Sequence, residues 1–198
     1  MNQTAIFIES EGDAWFARNR DRLGERDPVS EMIQDLGLKP KSVLEIGCAN
    51  GWRLKKLTAA YRCDARGIDP SMAAVEAREV PTVQHGTADA LPYLSRQFDL
   101  VIYGFCLYVC DPQHWLRIAA EGDRVLAPGG TIIIHDFGDG PFAHKYKHHA
   151  DVLTYHLNFA ELWLVHPWYR AATSRLLDDG GEVVVALEKN IHAIPVRP

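Results

Sequence analysis

The chain has 198 residues, of which 47% are apolar, so it is long enough to bury one sizeable core. Its 26 acidic residues outnumber its 21 lysines and arginines, and the net charge of −5 argues against a surface that tracks nucleic-acid phosphates and favours a small-molecule partner. Four cysteines without a CxxC pair, an N-terminus (MNQTAIFIES) without a secretory signal, and apolar runs too short for a bilayer predict a reduced cytoplasmic protein with no membrane partner.

The first 40 residues contain two segments typical of helices. EGDAWFARNRDRL places Trp15 and Phe16 among many charged residues. DPVSEMIQDLGL begins at an Asp-Pro helix signal and ends near Gly37 and Pro40. We expect both segments to form a partly polar cover and not a core.

From residue 41 onward, strand patterns alternate with helical patterns. The strand candidates are SVLEIG, ARGIDP, TVQHGT, FDLVIYGF and GGTIIIHDF. The helix candidates between them are NGWRLKKLTAAY, SMAAVEAREV with Ser71 as N-cap, and PQHWLRIAAEGDRVL. Strands that alternate with helices predict an α/β fold, in which a doubly wound parallel sheet is covered on both faces. At the end of the chain, WYRAATSRLL and EVVVALEKN flank the turn signal DDGG and predict an antiparallel hairpin.

The segment VLEIGCANG, residues 43–51, is the most informative part of the chain. A nicotinamide-binding fingerprint needs GxGxxG, whereas the glycines here are only Gly47 and Gly51. Gly47 lets the backbone approach a ligand closely, and the helix after Gly51 presents unpaired N–H groups. The Glu45 carboxylate can accept from a cationic group. This combination favours an amino-acid-like ligand over a pyrophosphate.

Two further carboxylates follow later strands. Asp69 in GIDPS ends the second predicted strand, where a carboxylate can accept both hydroxyls of a ribose. Asp89 in GTADALPY follows the third strand and can accept from an adenine amino group. A turn or a helix cap is the ordinary role of an aspartate at a strand end. Glu45, Asp69 and Asp89 in register nevertheless favour contact with one ligand.

With these motifs in order, the chain resembles the class I S-adenosylmethionine-dependent methyltransferases. VLEIGCANG matches that family's E/D-x-G-x-x-x-G first motif, GIDPS its acidic second motif, and GTADALPY, FDLVIYGF and LAPGGTIIIHDF its third to fifth motifs. The resemblance covers about residues 40–137. It implies S-adenosylmethionine as the cofactor and a seven-stranded, mostly parallel sheet whose last pair is the antiparallel hairpin.

The resemblance also implies a division of the chain. We expect a single domain over residues 1–198, with an N-terminal helical cover (1–40), a cofactor-binding core (41–137), an acceptor-binding insertion (138–167) and the terminal hairpin (168–198).

Carried over by position, the family motifs imply a place for each part of the cofactor. Glu45 would lie near the methionine amino group, Gly47 against the methionine portion, Asp69 at the ribose, Met72 beside the adenine and Asp89 at its exocyclic amine. Further residues are implied as cofactor contacts, either through the strand-end motifs or through an N-terminal helix that covers the cofactor. They are Trp15, Arg18, Asn19, Cys48, Ala49, Pro70, Ala88, Ala90, Tyr103 and Phe105. Cys48 is expected to be a small packed residue and not a nucleophile.

Six of the nine histidines fall between His135 and His166. The stretch HKYKHH (144–149) follows the fifth strand, so it is expected near the acceptor, beyond the carboxyl ends of the strands. A neutral imidazole, with a pKa of about 6.5, suits a base that removes an acceptor proton. For each histidine alone, a solvated or structurally hydrogen-bonded side chain is the plain alternative. The predicted catalytic residues are His135, Asp136, Tyr146, His148 and His149.

A metal site is a second interpretation of this stretch. His144 and His148 are four residues apart and could share one helix face, with Asp151 nearby as an oxygen ligand. Spacing assigns no third ligand for zinc, so we predict no metal.

A weaker resemblance bears on the acceptor. WFARN, HDF, YKHH and FAELWLVHPWY are similar to segments of bacterial methyltransferases of surface-polysaccharide and nonulosonic-sugar synthesis. The similarity implies a hydroxylated, anionic acceptor, for which Arg18, Lys145 and Lys147 are candidate partners. A solvated surface is the plain alternative for these cations.

The expected function is methyl transfer to an oxygen or nitrogen of a small polar metabolite, with a sugar or sugar nucleotide as one candidate. The alternatives are an S-adenosylmethionine-binding regulatory protein without turnover and a nicotinamide-dependent oxidoreductase. No nucleic-acid partner is expected, because FDLVIYGFCL does not continue into an Asn/Asp-Pro-Pro-aromatic motif. The oligomeric state is open, with a homodimer as one candidate.

Overall fold

One seven-stranded sheet organises the protein, whose computed structural model describes residues 3–177 and 181–191. The strands in these ranges are β1 (Ser42–Ile46), β2 (Asp64–Asp69), β3 (Val83–His85), β4 (Phe98–Gly104), β5 (Leu126–Phe137), β6 (Phe142–Lys145), β7 (Leu153–His156), β8 (Tyr169–Leu176) and β9 (Glu182–Lys189). The sheet has the order β3-β2-β1-β4-β5-β9-β8, in which β1 to β5 are parallel and β9 is antiparallel to both β5 and β8. The predicted α/β class and antiparallel end are confirmed, while residues 178–180 of the DDGG turn lie outside the described ranges.

Helices cover the sheet. They are α1 (Gln3–Ile6), α2 (Gly12–Asn19), α3 (Pro28–Asp35), α4 (Trp52–Tyr61), α5 (Met72–Glu76), α6 (Trp115–Val125) and α7 (Glu161–Leu164), with short 3-10 turns at Arg20–Arg22, Leu107–Val109 and Pro112–His114. Asp27 caps α3 by accepting from Ser30 N, and the predicted N-cap Ser71 accepts from Ala74 N. None of the described helices is both long and apolar enough to cross a membrane.

The N-terminal segment is one helix with a π-helical turn in its middle. Residues Phe7–Glu11 form this turn between α1 and α2, and Gly12 N donates to Phe7 O, five residues back. We call residues 3–19 the lid helix, because they cover the cleft described below.

Each face of the sheet packs its own apolar cluster. Alternate residues of β4 and β5 point to opposite faces, so Val101 and Ile134 join one cluster whereas Ile102 and Ile133 join the other. Helix α3 belongs to the second cluster, in which Val29, Met32 and Ile33 are fully buried. The prediction that both N-terminal helices only form a partly polar cover is therefore wrong for α3, because its apolar stripe completes the core.

The histidine-rich stretch forms neither a helix nor a single cluster. His144 and Lys145 lie on β6, which pairs with β7 in a separate antiparallel hairpin, and His148 lies in the turn between these strands. The prediction that His144 and His148 share a helix face is wrong. Within residues 3–177 and 181–191, no three or more His, Cys, Asp or Glu side chains are arranged to hold a metal ion.

Candidate active site

A cleft opens at the carboxyl ends of β1, β2 and β4. The chain leaves β1 towards β2 on one side and reaches β4 on the other, so the order of the strands reverses here, where open α/β sheets bind ligands. The cleft has a volume of about 860 Å³ when the solvent in its open mouth is included. It is lined by the ends of these strands, the loop after β3 and the lid helix.

Two glycines form the floor of the cleft. Gly47 has a φ of +73°, and a Cβ there would lie 2.5 Å from Cys106 Cβ. A Cβ at Gly104 would lie 2.8 Å from Glu45 Oε1. No side chain fits at either position, so backbone is directly exposed to a ligand.

Asp69 lies in the wall of the cleft, at the end of β2. Its Oδ2 accepts from Ala49 N at 2.7 Å and its Oδ1 accepts from Ser71 N at 2.9 Å. Burial raises the pKa of Asp69 to about 6, although these two hydrogen bonds act in the opposite direction. A carboxylate can accept about four hydrogen bonds, so Asp69 keeps acceptor capacity for a ligand.

Asp89 and His114 face each other across another part of the cleft. His114 Nδ1 lies 2.8 Å from Asp89 Oδ2. This contact joins the loop after β3 to the start of α6. Burial acts to raise the pKa of Asp89, but hydrogen bonds with Thr87 and His114 outweigh it, and the pKa lies below its usual value. Asp89 is therefore held as a carboxylate, with one oxygen bound to His114.

Glu45 lies beneath the glycine floor, in a buried ionic network. Its Oε1 pairs with Arg53, which also donates to Asp27 at 2.8 Å, and all three residues are almost fully buried. Burial raises the pKa of Glu45 to about 7, although Arg53 acts to lower it. Glu45 Oε2 is buried and has no hydrogen-bond partner within the described ranges. Such an acceptor needs a partner. Gly104, which lines the cleft, packs on this network, since a Cβ there would lie 2.8 Å from Glu45 Oε1.

The loop after β4 forms an aromatic wall. Phe105 has a φ of +59°, a left-handed conformation that is costly for a bulky residue and that often marks a functional site. Its ring lies edge-to-face with those of His135 (5.0 Å) and Phe137 (4.8 Å) and 5.1 Å from that of Tyr108. Burial raises the pKa of the Tyr108 hydroxyl, although the Trp15 side chain acts to lower it.

The π-helical turn directs one side of the lid helix into the cleft. Phe7, Gly12 and Trp15 line the cleft. Gly12 packs against the start of α5, where an added Cβ would lie 3.3 Å from Ser71 N. Asp13, the next residue, accepts from Ser71 Oγ and Ala73 N at 2.7 and 2.9 Å. One end of the lid is thus fixed to α5.

The other side of the lid helix contacts the β6–β7 hairpin. Glu11 is buried and pairs with Arg18, while the Tyr146 hydroxyl accepts from Arg18 at 3.1 Å and donates to Glu11 at 3.0 Å. Burial raises the pKa of Tyr146 to about 12. Gln3 donates to Val109 O and Leu153 O and accepts from Leu153 N.

None of the predicted catalytic residues lines the cleft. Asp136 is buried, and its two oxygens accept from the backbone of Leu107, Tyr108 and Phe137, so it fixes the loop after β4. Burial raises its pKa to about 7, although those hydrogen bonds act to lower it. His135 Nε2 lies 3.3 Å from Glu182 Oε2. Tyr146, His148 and His149 lie beyond β6; His148 is exposed, and His149 Nδ1 accepts from Asp151 N.

The predicted cofactor residues divide into two groups. Those that line the cleft are Trp15, Gly47, Asp69, Pro70, Ala88, Asp89 and Phe105. Those that do not are Arg18, Asn19, Glu45, Cys48, Ala49, Met72, Ala90 and Tyr103.

Most of the second group have a visible structural contact. Tyr103 is buried on a face of the sheet, where its hydroxyl donates to Ile118 O, and Cys48 is buried with a strongly raised pKa. Ala49 positions Asp69 through its N–H, and the Asn19 side chain donates to Trp15 O. Met72 is 46% exposed.

Sequence reasoning missed several residues that line the cleft, among them four with polar or aromatic side chains, namely Phe7, Thr87, Tyr108 and His114. Only Thr87 had a signal, because it lies in the GTADALPY motif beside Asp89. The others reach the cleft through the π-helical turn and two 3-10 turns, which leave no periodic pattern in the sequence.

Residues 44–134 match the family described as a methyltransferase domain. This segment contains the glycine floor, Asp69, Asp89 and the aromatic loop after β4, and it spans the parallel part of the sheet. Over this segment, which is 91 of the 198 residues, the chain is similar to methyltransferase domains.

Relatives with assigned names include two N-methyltransferases. The chain is 27% identical over 146 residues to the dTDP-4-amino-2,3,4,6-tetradeoxy-D-glucose N,N-dimethyltransferase of Saccharopolyspora spinosa, an alignment that covers 68% of this chain and 58% of the relative. It is 31% identical over 116 residues to norajmaline N-methyltransferase of Rauvolfia serpentina, covering 53% and 39%. An uncharacterised Haemophilus influenzae protein is 29% identical over 134 residues, covering 62% and 53%. The chain thus spans about half of the length of these relatives.

Solved structures share the fold at low identity. The Burkholderia thailandensis 1,6-didemethyltoxoflavin-N1-methyltransferase, solved with its heterocycle and S-adenosylhomocysteine, has a TM-score of 0.72 at 19% identity, covering 94% of this chain and 87% of that one. An S-adenosylmethionine-dependent methyltransferase from Methanosarcina mazei has a TM-score of 0.65 at 19% identity, covering 80% and 97%.

The described residues fit S-adenosylmethionine. The glycine floor gives backbone access, Asp69 has acceptor capacity for ribose hydroxyls, and the orphaned Glu45 Oε2 is the acceptor that an ammonium group needs.

Proposed function

We propose that the protein transfers a methyl group from S-adenosylmethionine to a nitrogen or oxygen of a small metabolite. The observation that carries this proposal is the cleft at the ends of β1, β2 and β4, in which a glycine floor, two carboxylates and an aromatic wall converge. When bound, the cofactor supplies an electrophilic methyl group on a sulfonium.

In this proposal, the chain's carboxylates orient the cofactor. Asp69 accepts from the ribose hydroxyls, and the Asp89 oxygen that is not bound to His114 accepts from the adenine amine. Glu45 attracts the methionine ammonium from beneath the glycine floor, where its Oε2 has no hydrogen-bond partner within the described ranges. Gly47 lets the methionine portion lie directly on the backbone. Fixed in this way, the methyl group needs only an acceptor aligned with the bond that breaks.

The cleft favours a nitrogen acceptor over a hydroxyl. A hydroxyl needs a base for its proton, whereas a neutral amine attacks through its lone pair and releases a proton to water afterwards. Within the described lining, the Tyr108 hydroxyl and the Cys106 and Cys110 thiols have raised pKa values because they are buried. Asp89 holds His114 through Nδ1, so a hydroxyl acceptor would depend on His114 Nε2 as its base, whereas an amine needs no base before it attacks. The names of the two N-methyltransferase relatives support the same choice.

The sequence-based alternative of a histidine base receives no support from the cleft, because the predicted histidines do not line it. The expectation of an anionic, sugar-like acceptor agrees with the name of the Saccharopolyspora spinosa relative, a dTDP-amino-sugar N,N-dimethyltransferase, but it lacks a cationic partner, since no lysine or arginine is among the described lining residues. We therefore do not include either in the proposal.

Binding and transfer can be tested separately. In a thermal-shift experiment, S-adenosylhomocysteine at about 100 times its Kd should stabilise the protein by about 2.7 kcal/mol, and a nicotinamide dinucleotide should not. Transfer is then measured from methyl-labelled cofactor into matched panels of amines and alcohols. Labelled amine supports the proposal, whereas binding without transfer to either panel or to a metabolite extract would favour the regulatory alternative.

The control for this experiment is Asp69→Ala. It removes the proposed ribose acceptor and should weaken S-adenosylhomocysteine binding by about tenfold or more, since a hydrogen bond to a charged group contributes about 1.5–3 kcal/mol. Unchanged binding would show that the ribose is held elsewhere.

A further inference from the structure

We propose that the cleft selects an amine through an aromatic cage formed by Trp15, Phe105 and Tyr108, which binds ammonium ligands and rejects anions. The inference rests on the proposed methyl-transfer function and adds the chemical class of the acceptor. It is carried by three observations, which are the arrangement of the rings, their fixed positions and the charge of the cleft.

The three rings of the cage come from both sides of the cleft. Trp15 belongs to the lid helix, whereas Phe105 and Tyr108 belong to the loop after β4. The Phe105 and Tyr108 ring centroids are 5.1 Å apart with the planes inclined by 59°, and Trp15 lines the same cleft from the lid helix. Inclined rings around a cavity present several π faces to one ligand, which is the arrangement that recognises quaternary ammonium groups.

The cage is held before any ligand arrives. Phe105 keeps its left-handed backbone because its N–H donates to His135 O at 2.8 Å and its ring packs against Phe137. Tyr108 N donates to buried Asp136, and the Tyr108 ring lies edge-to-face with that of Phe137 at 5.3 Å. A ligand therefore meets rings that need little reorganisation, which favours affinity.

The charges of the cleft exclude an anion and suit a cation. Its described lining contains the carboxylates of Asp69 and Asp89 but neither lysine nor arginine. Arg18, a predicted partner for an anionic acceptor, is instead paired with Glu11. Lys145 and Lys147 are exposed on the β6–β7 hairpin and do not line the cleft. Because the proposed function commits Asp69 and Asp89 to the cofactor, the discrimination against an anionic acceptor rests on the lack of a lysine or arginine in the described lining.

Cation binding also matches the proposed reaction. As an amine lone pair forms the new N–CH₃ bond, the S–CH₃ bond breaks and its electron pair stays on sulfur. The positive charge therefore moves from sulfur to nitrogen, and the ammonium loses its proton to water unless it is quaternary. Aromatic faces favour a positive charge at every stage of this movement, whereas an anionic acceptor would gain nothing from them.

The test uses choline and its uncharged isostere 3,3-dimethyl-1-butanol, titrated calorimetrically into the protein saturated with S-adenosylhomocysteine. Because S-adenosylhomocysteine lacks the sulfonium charge, the ammonium probe competes with no other cation at the cage. Choline should bind about tenfold more tightly than the isostere. The acid 3,3-dimethylbutyrate should bind more weakly than both.

Variants assign this preference to the rings. Tyr108→Leu and Trp15→Leu should each reduce the preference for choline about threefold or more, whereas Tyr108→Phe should retain most of it because the π face remains. The matched control is Tyr61→Leu, which removes a ring at the end of α4, outside the cleft lining. It should leave the preference unchanged.

The outcomes separate the cage from the proposed function. The cage is contradicted if choline and its isostere bind equally well. It is also contradicted if folded Tyr108→Leu and Trp15→Leu variants both keep the preference for choline. Neither result contradicts the proposed methyl transfer. If S-adenosylhomocysteine does not bind, the proposed function fails, and the same titration without it still decides whether the rings prefer an ammonium group.

Discussion

Asp69 combines two properties that rarely occur together, a buried position and contact with a proposed ligand. Its pKa of about 6 is above the ordinary value, mainly because of burial, so the carboxylate changes its charge near neutral pH. Only the ionised form can accept from two ribose hydroxyls while it also accepts from Ala49 and Ser71.

This pKa predicts a pH dependence of cofactor binding. As the pH falls through about 6, Asp69 takes up a proton and loses acceptor capacity, so the affinity for S-adenosylhomocysteine should fall, approaching about tenfold per pH unit. The Asp69→Asn variant should bind S-adenosylhomocysteine weakly at all pH values. Its affinity should not show the fall that the titration of Asp69 causes near pH 6. Calorimetry between pH 5 and 8 provides the measurement, and an unchanged profile in Asp69→Asn would assign the dependence to another group, such as Glu45.

Gly47 gives a second prediction at the scale of one residue. Gly47→Ala should destabilise the fold by about 2–4 kcal/mol, because the left-handed backbone disfavours a side chain and the new methyl group meets Cys106. Urea denaturation measures the loss. Cys106→Gly in the same chain removes the contact but not the backbone strain, so the double variant should recover part of the stability. Strictly additive losses would contradict the proposed contact.

The residues of the cleft were predictable only where a strand determines their position. Gly47, Asp69 and Asp89 follow strands whose apolar runs are clear in the sequence, and all three line the cleft. Tyr103 lies on β4, which is buried on both faces, so its apolar run could not indicate towards which face the ring points. Tyr108 lies in an irregular turn whose direction depends on Asp136, distant in sequence.

At the scale of elements, the lid helix connects two structures that are far apart in the chain. Asp13 fixes it to α5, while Gln3, Glu11 and Arg18 fix it to the segment around β6 and β7. A ligand that fills the cleft must pass between these contacts or break some of them. The stability of the lid contacts therefore bears on how fast ligands enter and leave.

The Gln3 side chain should control local opening of the lid. Gln3→Ala removes the acceptor of Leu153 N and the donor to two carbonyls, so the Leu153 amide should exchange with solvent about tenfold faster or more. Hydrogen exchange read by NMR makes the measurement. Ser10→Ala is the matched control, since Ser10 Oγ bonds only to Ile6 O within the same helix. Equal exchange in both variants would mean that Gln3 does not hold the lid.

The histidine-rich stretch illustrates what spacing could not predict at this scale. Its i, i+4 pair suggested a helix, but His144 lies on a strand and His148 in a turn. The His144 ring contacts that of His156 at 4.7 Å across the hairpin, and His156 stacks on Phe137. Pairing between distant strands decides these contacts, and local periodicity carries no information about such pairing.

At the scale of the whole molecule, the mostly parallel sheet could be predicted from the sequence, because alternating strand and helix patterns leave few possible topologies. The buried network of Glu45, Arg53 and Asp27 could not be predicted from the sequence. Its members are charged residues on β1, on α4 and before α3, and they show no common pattern. The network joins β1, which leads into the glycine floor, to α3 and α4, and Arg53 and Lys56 keep the pKa of Asp27 below its usual value.

Arg53 should therefore be essential for stability, in a pH-dependent way. Arg53→Met leaves Glu45 without its ion pair and should cost about 3–5 kcal/mol at pH 8. The cost should be smaller at pH 6, because Glu45, whose pKa is raised, can become neutral by binding a proton in the folded state. Urea denaturation at both pH values is the measurement. Lys56→Met, which removes a half-exposed partner of Asp27, should cost about 1 kcal/mol or less. A pH-independent loss in Arg53→Met would contradict the role of Glu45.

The extra residue in the π-helical turn sets the phase between the two halves of the lid helix. Removing one residue from Phe7–Glu11 would restore a regular α-helix and rotate Gln3 by about 100° relative to Trp15. Gln3 could then face Leu153, or Trp15 could face Tyr108, but not both at once. The extra residue thus lets one helix contact both sides of the cleft. Insertions or deletions in this short turn should therefore be tolerated far less well than substitutions.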